Sequence, residues 1–515
     1  MLVRRIFPLR PGTPHAGRDP KPQELPQSTV NLTNQQLAII EGCGRAFKVE
    51  AVAGSGKTST LLAYAAARPK RKILYLAYNR SMVREIEARR RQMGLGHVTV
   101  STIHSLAWRG TGGRWTQIES ELPESLILDE RFVPPRSPEP VLAAWIVKDL
   151  VNYYLNSAHI TPDDDFLERY CLELRPEPEV EETLRQDPVG FSIALRRLLS
   201  AMREGEIPIV HDFYLKLFQL QKPWLNYDII LVDEAQDASP VMLDIVLRQD
   251  ATRIFVGDSF QQIYAFRHAV NALRRLNLPS LPLTLSFRFG QALASRVQKR
   301  TNRAYRLLGA PGEAVLRIRG ADAWVDFGWR RLQHRRPLTI ICRSNLGVFN
   351  AALSWVSKAA RLYFEGGLPR YSFMNDRVAS AIHLAKARRE KITDPLIARF
   401  DSLGDLERFA RETRNGHLAN IASLARNHGD KTFFLYKRIQ EKCTSDPAHA
   451  DVILTNVHQA KGREYNHVIM NDDFVTLDDL KVLRDAQPRP MLREEANLYY
   501  VAATRAKKGI HLAPD

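Results

Sequence analysis

The sequence predicts an α/β protein: two parallel-sheet lobes, each interrupted by a mainly helical insert. Three observations carry this prediction. Short apolar runs recur along the chain, each followed by a polar or glycine-bearing turn and then, mostly, a helical pattern. A glycine-rich turn, AVAGSGKTST at 51–60, stands between one such run and the helical pattern TSTLLAYAAAR. Two long stretches, from about Leu106 to Asn226 and from about Tyr371 to Thr444, are mostly helical in pattern.

In chain order, residues 1–30 come first, with Pro8, Pro11, Pro14, Pro20, Pro22 and Pro26 among Arg4, Arg5, Arg10 and Arg18. Proline at that density removes backbone donors and blocks helix, so a disordered basic tail is expected. Pro8 and Pro11 also break the only stretch that resembles a secretory signal. AFKVEAV (46–52), KILYLAY (72–78), HVTVSTI (97–103), YDIILVD (227–233) and RIFVGD (253–258) read as buried strands of one sheet. Near-continuous apolar runs suit strands covered by helices on both faces. LTIICR (338–343), DVILTN (451–456), HVIMND (467–472) and GIHLA (509–513) supply a second sheet. The expected division is a tail at 1–30 and a first lobe at 31–105 plus 226–283, with its helical insert at 106–225. The second lobe takes 284–370 plus 445–515, with a smaller helical insert at 371–444. The sequence contains no internal repeat.

With 515 residues, 44% hydrophobic and 25% charged, the composition excludes a disordered or fibrous chain. Cys43, Cys171, Cys342 and Cys443 stand singly, with no C-x-x-C pair, which points to a reducing compartment. No apolar run approaches the roughly 18 residues that span a bilayer. Lys and Arg number 74 against 57 Asp and Glu, for a formal charge of +17. That excess predicts an anionic partner, nucleic acid first and an acidic membrane surface second.

The strongest single motif is the turn at 51–60. Small residues such as Ala53, Gly54, Ser55 and Gly56 let the backbone curl so that successive N–H groups face phosphate oxygens. The helix that follows adds the positive end of its dipole, near Thr58 and Ser59. Lys57 is then placed to reach the β- and γ-phosphates, and Thr58 to ligate Mg²⁺. Ala51 stands where the general G-x-x-x-x-G-K-[ST] pattern has glycine. IILVDEAQD (229–237) supplies the complement, an apolar strand ending in acids. Asp233 at its tip suits Mg²⁺ held through water, and Glu234 suits polarisation of an attacking water. Asp237 reads equally well as a helix cap, because SPVMLDIVL follows.

The ordered run NLTNQQ, AGSGKT, YNRSMVREIEAR, STIHSLAWR, DEAQD, VGDSFQQIYAFRHA, LSFRFG, NVHQAKGREYNHVIM and EEANLYYVAATRAKK resembles the motif set of superfamily 1A helicases, the UvrD/Rep group. LAYNRS, VHQAKGREY and NLYYVAATRAKK look closest to the F-box DNA helicase branch. The resemblance implies two RecA-like P-loop lobes with ATP and Mg²⁺ between them and single-stranded DNA, or a single-strand/duplex junction, across their top. It implies that Gln36 reads the adenine edge and that Gln261 senses the γ-phosphate. Arg288 and Arg505 match the two arginines that reach the phosphates from the second lobe, where a guanidinium fork spreads charge over the transferring group. Phe287 matches the aromatic that stacks on the base, and Glu464 the acid that contacts the ribose. On the strand side, Tyr264, Phe266 and Arg267 supply stacking faces and charge. Asn79, Thr102, His104 and His458 match positions that touch the strand. Neither histidine has partner ligands at zinc spacing.

The sequence departs from the group's pattern in places. Ala77-Tyr78-Asn79 replaces the usual Phe-Thr-Asn, Phe266 the usual Trp, and Asn456 a common Thr. The stretch from Leu346 to Ala450 is too short for a full-sized regulatory insert. Neither an F-box in the short tail nor a nuclease domain after Arg505 is expected. The expectation is an ATP-dependent translocase or helicase moving 3′→5′ in repair, recombination or defence, nucleoid-associated in a prokaryote or nuclear in a eukaryote. Two alternatives stand beside it. One is a DNA-stimulated ATPase that strips proteins from single strands. The other is an ATP-gated clamp that recruits a partner nuclease or other repair or defence protein. No membrane partner is expected.

Overall fold

The computed structural model describes residues 32–163, 165–264, 271–309, 315–321, 328–332, 334–358, 360–485 and 489–515. The expected tail at 1–30 lies outside them. Strands β1 (Ala46–Ala51), β2 (Ile73–Leu76), β3 (Val98–Ser101), β4 (Ile229–Val232), β5 (Thr252–Gly257) and β6 (Ser280–Leu283) form one sheet in the order β3-β2-β4-β5-β1-β6. All neighbours in it are parallel. β2 and β4 are buried at every residue, which is why their sequences read as unbroken apolar runs. β6 is absent from the sequence expectation. It carries Pro282 and lies at the sheet edge, where a missing N–H breaks no ladder.

The second sheet consists of β7 (Leu338–Cys342), β8 (Leu362–Phe364), β9 (Val452–Asn456), β10 (Tyr465–Met470) and β11 (Ala506–His511), in the order β8-β9-β7-β10-β11. It too is parallel throughout. The predicted class, two parallel sheets flanked by helices, is therefore the observed one. In a parallel sheet all strands end on one side, and ligands bind outside those carboxyl ends. The turns after β1, β4 and β5 consequently converge.

The chain between β3 and β4 contains the helices Pro140–Asn156, Phe166–Leu174, Pro178–Gln186, Pro188–Glu204 and His211–Leu220. Three of these start on proline, whose fixed φ and missing N–H suit the first turn. A two-residue parallel pairing, Ile118–Glu119 with Ile209–Val210, closes this region and was not legible in the sequence. Between β8 and β9 lie the helices Asp376–Ala385, Leu403–Glu412, Gly416–His428 and Lys431–Glu441. Asn375, Ser402 and Asn415 cap the first three with side-chain oxygens. The two helical regions meet through Trp145 and Phe409, ring centroids 5.8 Å apart, and through Arg414 Nε donating to Glu177 Oε1 at 2.7 Å. Among the described residues, no helix is long and apolar enough to cross a membrane.

Candidate functional site

The turn after β1 leads into the helix Lys57–Ala66. Gly54 and Gly56 hold φ of +72° and +79°, the left-handed region that side chains disfavour. Gly54 is doubly constrained, since a Cβ there would lie 2.7 Å from the Cβ of Arg288. Gly56 occupies the N-cap and offers no side-chain acceptor to the first turn, so the helix end presents its N–H groups to the cleft. Ser55 Oγ is buried with no hydrogen-bond partner among the described residues. An unsatisfied polar atom beside an uncapped helix N-terminus fits an anionic ligand such as a phosphate chain.

Lys57 Nζ lies 3.3 Å from Glu234 Oε1. Burial alone would lower the lysine pKa, but Glu234, Asp258 and Asp233 outweigh it and hold it above the ordinary value. Thr58 Oγ1 donates to Asp233 Oδ2 at 3.4 Å, and Tyr75 Oη donates to the same oxygen at 2.6 Å. Burial and the neighbouring Glu234 raise Asp233 above the usual carboxylate range. Burial also pushes on Glu234, yet Lys57, Lys461 and Gln236 prevail and keep it low. The two acids thus divide, one reluctant to ionise without a cation and one held as the anion. Thr58 and Asp233 are the donor set that suits Mg²⁺, and Glu234 suits a base for water.

Asp258, after β5, is fully buried and was not singled out from the sequence. It accepts from Gln261 Nε2 at 2.7 Å and from the hydroxyl of Tyr500 at 2.9 Å. The same hydroxyl accepts the backbone N–H of Ala53 at 3.1 Å. Arg505 Nη2 donates to Gln261 Oε1 at 3.2 Å and Nε to the carbonyl of Val501 at 2.9 Å. Burial, with Arg288 nearby, pulls Arg505 down to about 9. Tyr500 and Arg505 belong to the second lobe, so one polar chain joins it to the phosphate turn of the first. Tyr500→Phe removes both bonds; Asp258 keeps Gln261 as a donor, but the buried N–H of Ala53 loses its acceptor. It is expected to reduce stability by about 1–3 kcal/mol in urea unfolding and to slow nucleotide turnover. Wild-type stability in that variant would deny the link.

Arg288 also comes from the second lobe. Its Nε donates to Glu464 Oε1 at 2.8 Å and its Nη1 to the carbonyl of Thr504 at 2.9 Å. Phe287 is 49% exposed at the cleft mouth, and its N–H donates to the Gly54 carbonyl. Gln36 is buried beside Gly56; its Oε1 accepts from Thr33 and its Nε2 donates to Thr60 Oγ1. Ser59 is exposed on the helix. The alternative reading of Asp237 as a helix cap is corrected: Ser239 holds the N-cap position of Pro240–Leu247, and Asp237 instead pairs with Lys461.

On the adjoining face, Tyr78 and Tyr264 stack with centroids 5.9 Å apart at 15°, and His458 lies 5.9 Å beyond Tyr264. Asn79 and Thr102 cap the helices Arg80–Gln92 and Ile103–Gly110. His104 Nε2 contacts Asp212 Oδ1 at 3.0 Å. An open cleft beside Thr102 is lined by Arg80, Arg84, Arg109, Ser101 and Ser105. Three guanidiniums and three hydroxyls in one groove suit a phosphate backbone. Those arginines were missed because an Arg in a polar helix reads as a solvated face. Phe266 and Arg267 lie outside the described residues.

Residues 35–267 match the family model of an AAA domain, and residues 365–513 that of the UvrD-like helicase C-terminal domain. F-box DNA helicase 1 of Gallus gallus is 30% identical over 519 residues, which cover 93% of this chain and 49% of that protein. F-box DNA helicase protein 1 of Schizosaccharomyces pombe is 29% identical over 531 residues, 94% of this chain and 58% of that protein. The chain therefore spans about half the length of the curated relatives it matches. Two matched models meeting at one phosphate-binding cleft, together with these relatives, identify helicase domains of the superfamily 1 UvrD/Rep type, related to the F-box DNA helicase branch.

Proposed function

We propose that the chain is an ATP-driven motor on single-stranded DNA that moves 3′→5′ and separates strands in repair or recombination. The observation that carries this reading is the convergence of Lys57, Glu234 and Gln261 of one lobe with Arg505 and Arg288 of the other, with Gln261 three residues in sequence from the stacked Tyr264. Hydrolysis and strand contact then share one short segment. The turn at 53–59 binds the phosphate chain, and Lys57 turns from Glu234 toward it. Mg²⁺, when bound at Thr58 and Asp233, supplies charge neutralisation on the phosphate oxygens. Glu234, held as an anion, takes the proton of the attacking water. Arg505 and Arg288 spread positive charge over the transferring group, and their origin in the second lobe ties hydrolysis to cleft closure. Tyr78, Tyr264 and His458 offer aromatic faces to bases, while the Arg80, Arg84 and Arg109 groove takes the backbone.

Phosphate release with and without oligothymidylate, and with single-stranded RNA for comparison, tests the reading. DNA is expected to accelerate turnover by about tenfold or more. Strand affinity is expected to fall linearly on a log–log plot against salt, because bound arginines release counterions. Absence of stimulation, or an affinity indifferent to salt, would count against a DNA motor. A second reading, displacement of proteins from single strands without unwinding, is favoured by the small helical region at 376–441. Comparing strand separation with displacement of a bound protein distinguishes the two.

A further inference from the structure

We propose that the outer face of the helix Lys431–Glu441 is a second site for single-stranded nucleic acid, outside the nucleotide cleft and independent of hydrolysis. Among the described residues three phenylalanines are exposed: Phe287 at the cleft mouth, and the neighbours Phe433 and Phe434, 40% and 63% exposed, on this helix. Adjacent rings in water mark a contact surface. They are not needed to seat the helix, which is held from its other side. Thr432 and Ile439 are buried there, and Leu435 and Tyr436 pack against the core. That side rests on the helices Asn345–Val356 and Gly416–His428.

The rings stand among cations. Phe433 with Lys437 and Phe434 with Arg438 are each four residues apart, so two rings and two cations share one helical face. The Arg438 guanidinium lies 5.8 Å from the centre of the Phe434 ring. His383, on the helix Asp376–Ala385, brings its ring to 6.3 Å from that of Phe433, inclined by 32°. Its Nδ1 is buried and has no hydrogen-bond partner among the described residues. Arg388 holds Asp430 through two bonds of 3.0 and 3.1 Å, so the acid at the start of the helix is already matched. Lys386 reaches the same end, since a Cβ on Gly429 would lie 3.8 Å from its Cε. Within the helix Lys431, Lys437 and Arg438 stand against the single acid Glu441, and exposed Lys442 follows.

Aromatic faces set among cations are what a single strand requires, because bases stack on the rings while phosphates take the charge. A duplex keeps its bases stacked on one another and offers nothing to a ring without unstacking. A protein partner fits less well, since lysine is depleted at protein interfaces. An acidic membrane surface calls for a broad apolar helix face. Here the apolar side of the helix is turned into the protein, and two rings remain outside.

The test uses the full chain without nucleotide and a fluorescent oligothymidylate of about ten nucleotides, the scale of one single-strand site. The wild type is expected to bind two such strands, one in the cleft and one on this helix. Phe433→Ala with Phe434→Ala is expected to weaken the second binding by about tenfold or more and to leave the first unchanged. Lys437→Gln with Arg438→Gln keeps the rings and lowers the log–log salt slope of the second binding by about 1.4, for two phosphates at about 0.7 each. A strand carrying 5-bromodeoxyuridine, irradiated on the wild type, is expected to crosslink to the peptide that holds Phe433 and Phe434, a readout that needs no variant to fold. One strand per chain with no crosslink at this helix would overturn the proposal. So would a second site that a duplex of equal length fills as well, or variants that lose binding to phosphatidylserine vesicles and keep the second strand. Because the two bindings are read separately, absence of the first alone would count against the motor reading and leave this site standing.

Discussion

Glu234→Gln is expected to slow ATP hydrolysis by about 10²–10⁴-fold while nucleotide and strand binding persist. The substitution keeps the shape of the side chain and removes an acid that Lys57 and Lys461 hold as an anion beside the phosphate turn. Glu234 has φ of +53°, a conformation that costs a non-glycine residue about 1–2 kcal/mol. The chain tolerates it there because the tip of β4 must turn sharply to aim the carboxylate toward Lys57. The amide of Gln can still accept from Gln236 Nε2, so the local hydrogen bond survives. What changes is the charge facing Lys57. With no carboxylate 3.3 Å away, the lysine is fully available to phosphate, so nucleotide affinity should hold or rise. Fluorescent-nucleotide titration beside phosphate-release kinetics separates the two effects. Loss of nucleotide binding together with hydrolysis would show Glu234 to be a structural support of the site and not its base.

The parts of this molecule that were legible in the sequence are those whose chemistry is local. Each apolar run assigned to a strand falls on β1–β5, β7 or β9–β11, because burial on both faces writes itself into consecutive residues. The phosphate turn is legible for the same reason: Gly54, Gly56, Lys57 and Thr58 are neighbours in the chain. β6 and β8 escaped because each is an edge strand, one with a proline and one three residues long. The rest of the site is long-range. Tyr500 meets Asp258 across 242 positions, and Lys461 meets Asp237 across 224. No periodicity encodes such a meeting; it appears only when the second lobe closes on the first. Asp237 illustrates the difference. Its local context, acid before a helix, is that of a cap, yet Ser239 takes that place and the distant lysine takes the acid. The resemblance to the helicase motifs named Arg288 and Glu464 separately, for phosphate and for ribose. The structure pairs them with each other, Arg288 Nη2 lying 2.7 Å from Glu464 Oε1.

Lys57→Ala is expected to abolish turnover, by about 10³-fold or more, and to destabilise the nucleotide-free protein as well. Without the lysine, Glu234, Asp233 and Asp258 face one another in a buried space with one fewer cation. Removing one partner of such a pair typically costs about 3–5 kcal/mol, less whatever water enters the cleft. The pH dependence gives this claim a sign. Burial and Glu234 already raise Asp233 in the wild type, and Lys57 works against that rise. Deleting Lys57 therefore moves Asp233 further up. A carboxylate whose folded pKa exceeds its unfolded value stabilises the fold below the unfolded pKa and loses that contribution as pH rises through the folded one. The variant should thus be closest to wild type in acid, and the gap in melting temperature should widen as pH is raised from about 5 to about 8. Thermal unfolding of both proteins across that range reads the effect directly, and phosphate release reads the loss of turnover. A gap that stays constant with pH would show that the carboxylates do not feel the lysine. Turnover that survives the substitution would remove Lys57 from the phosphate site, and the reading of the cleft would have to be rebuilt around Arg288 and Arg505.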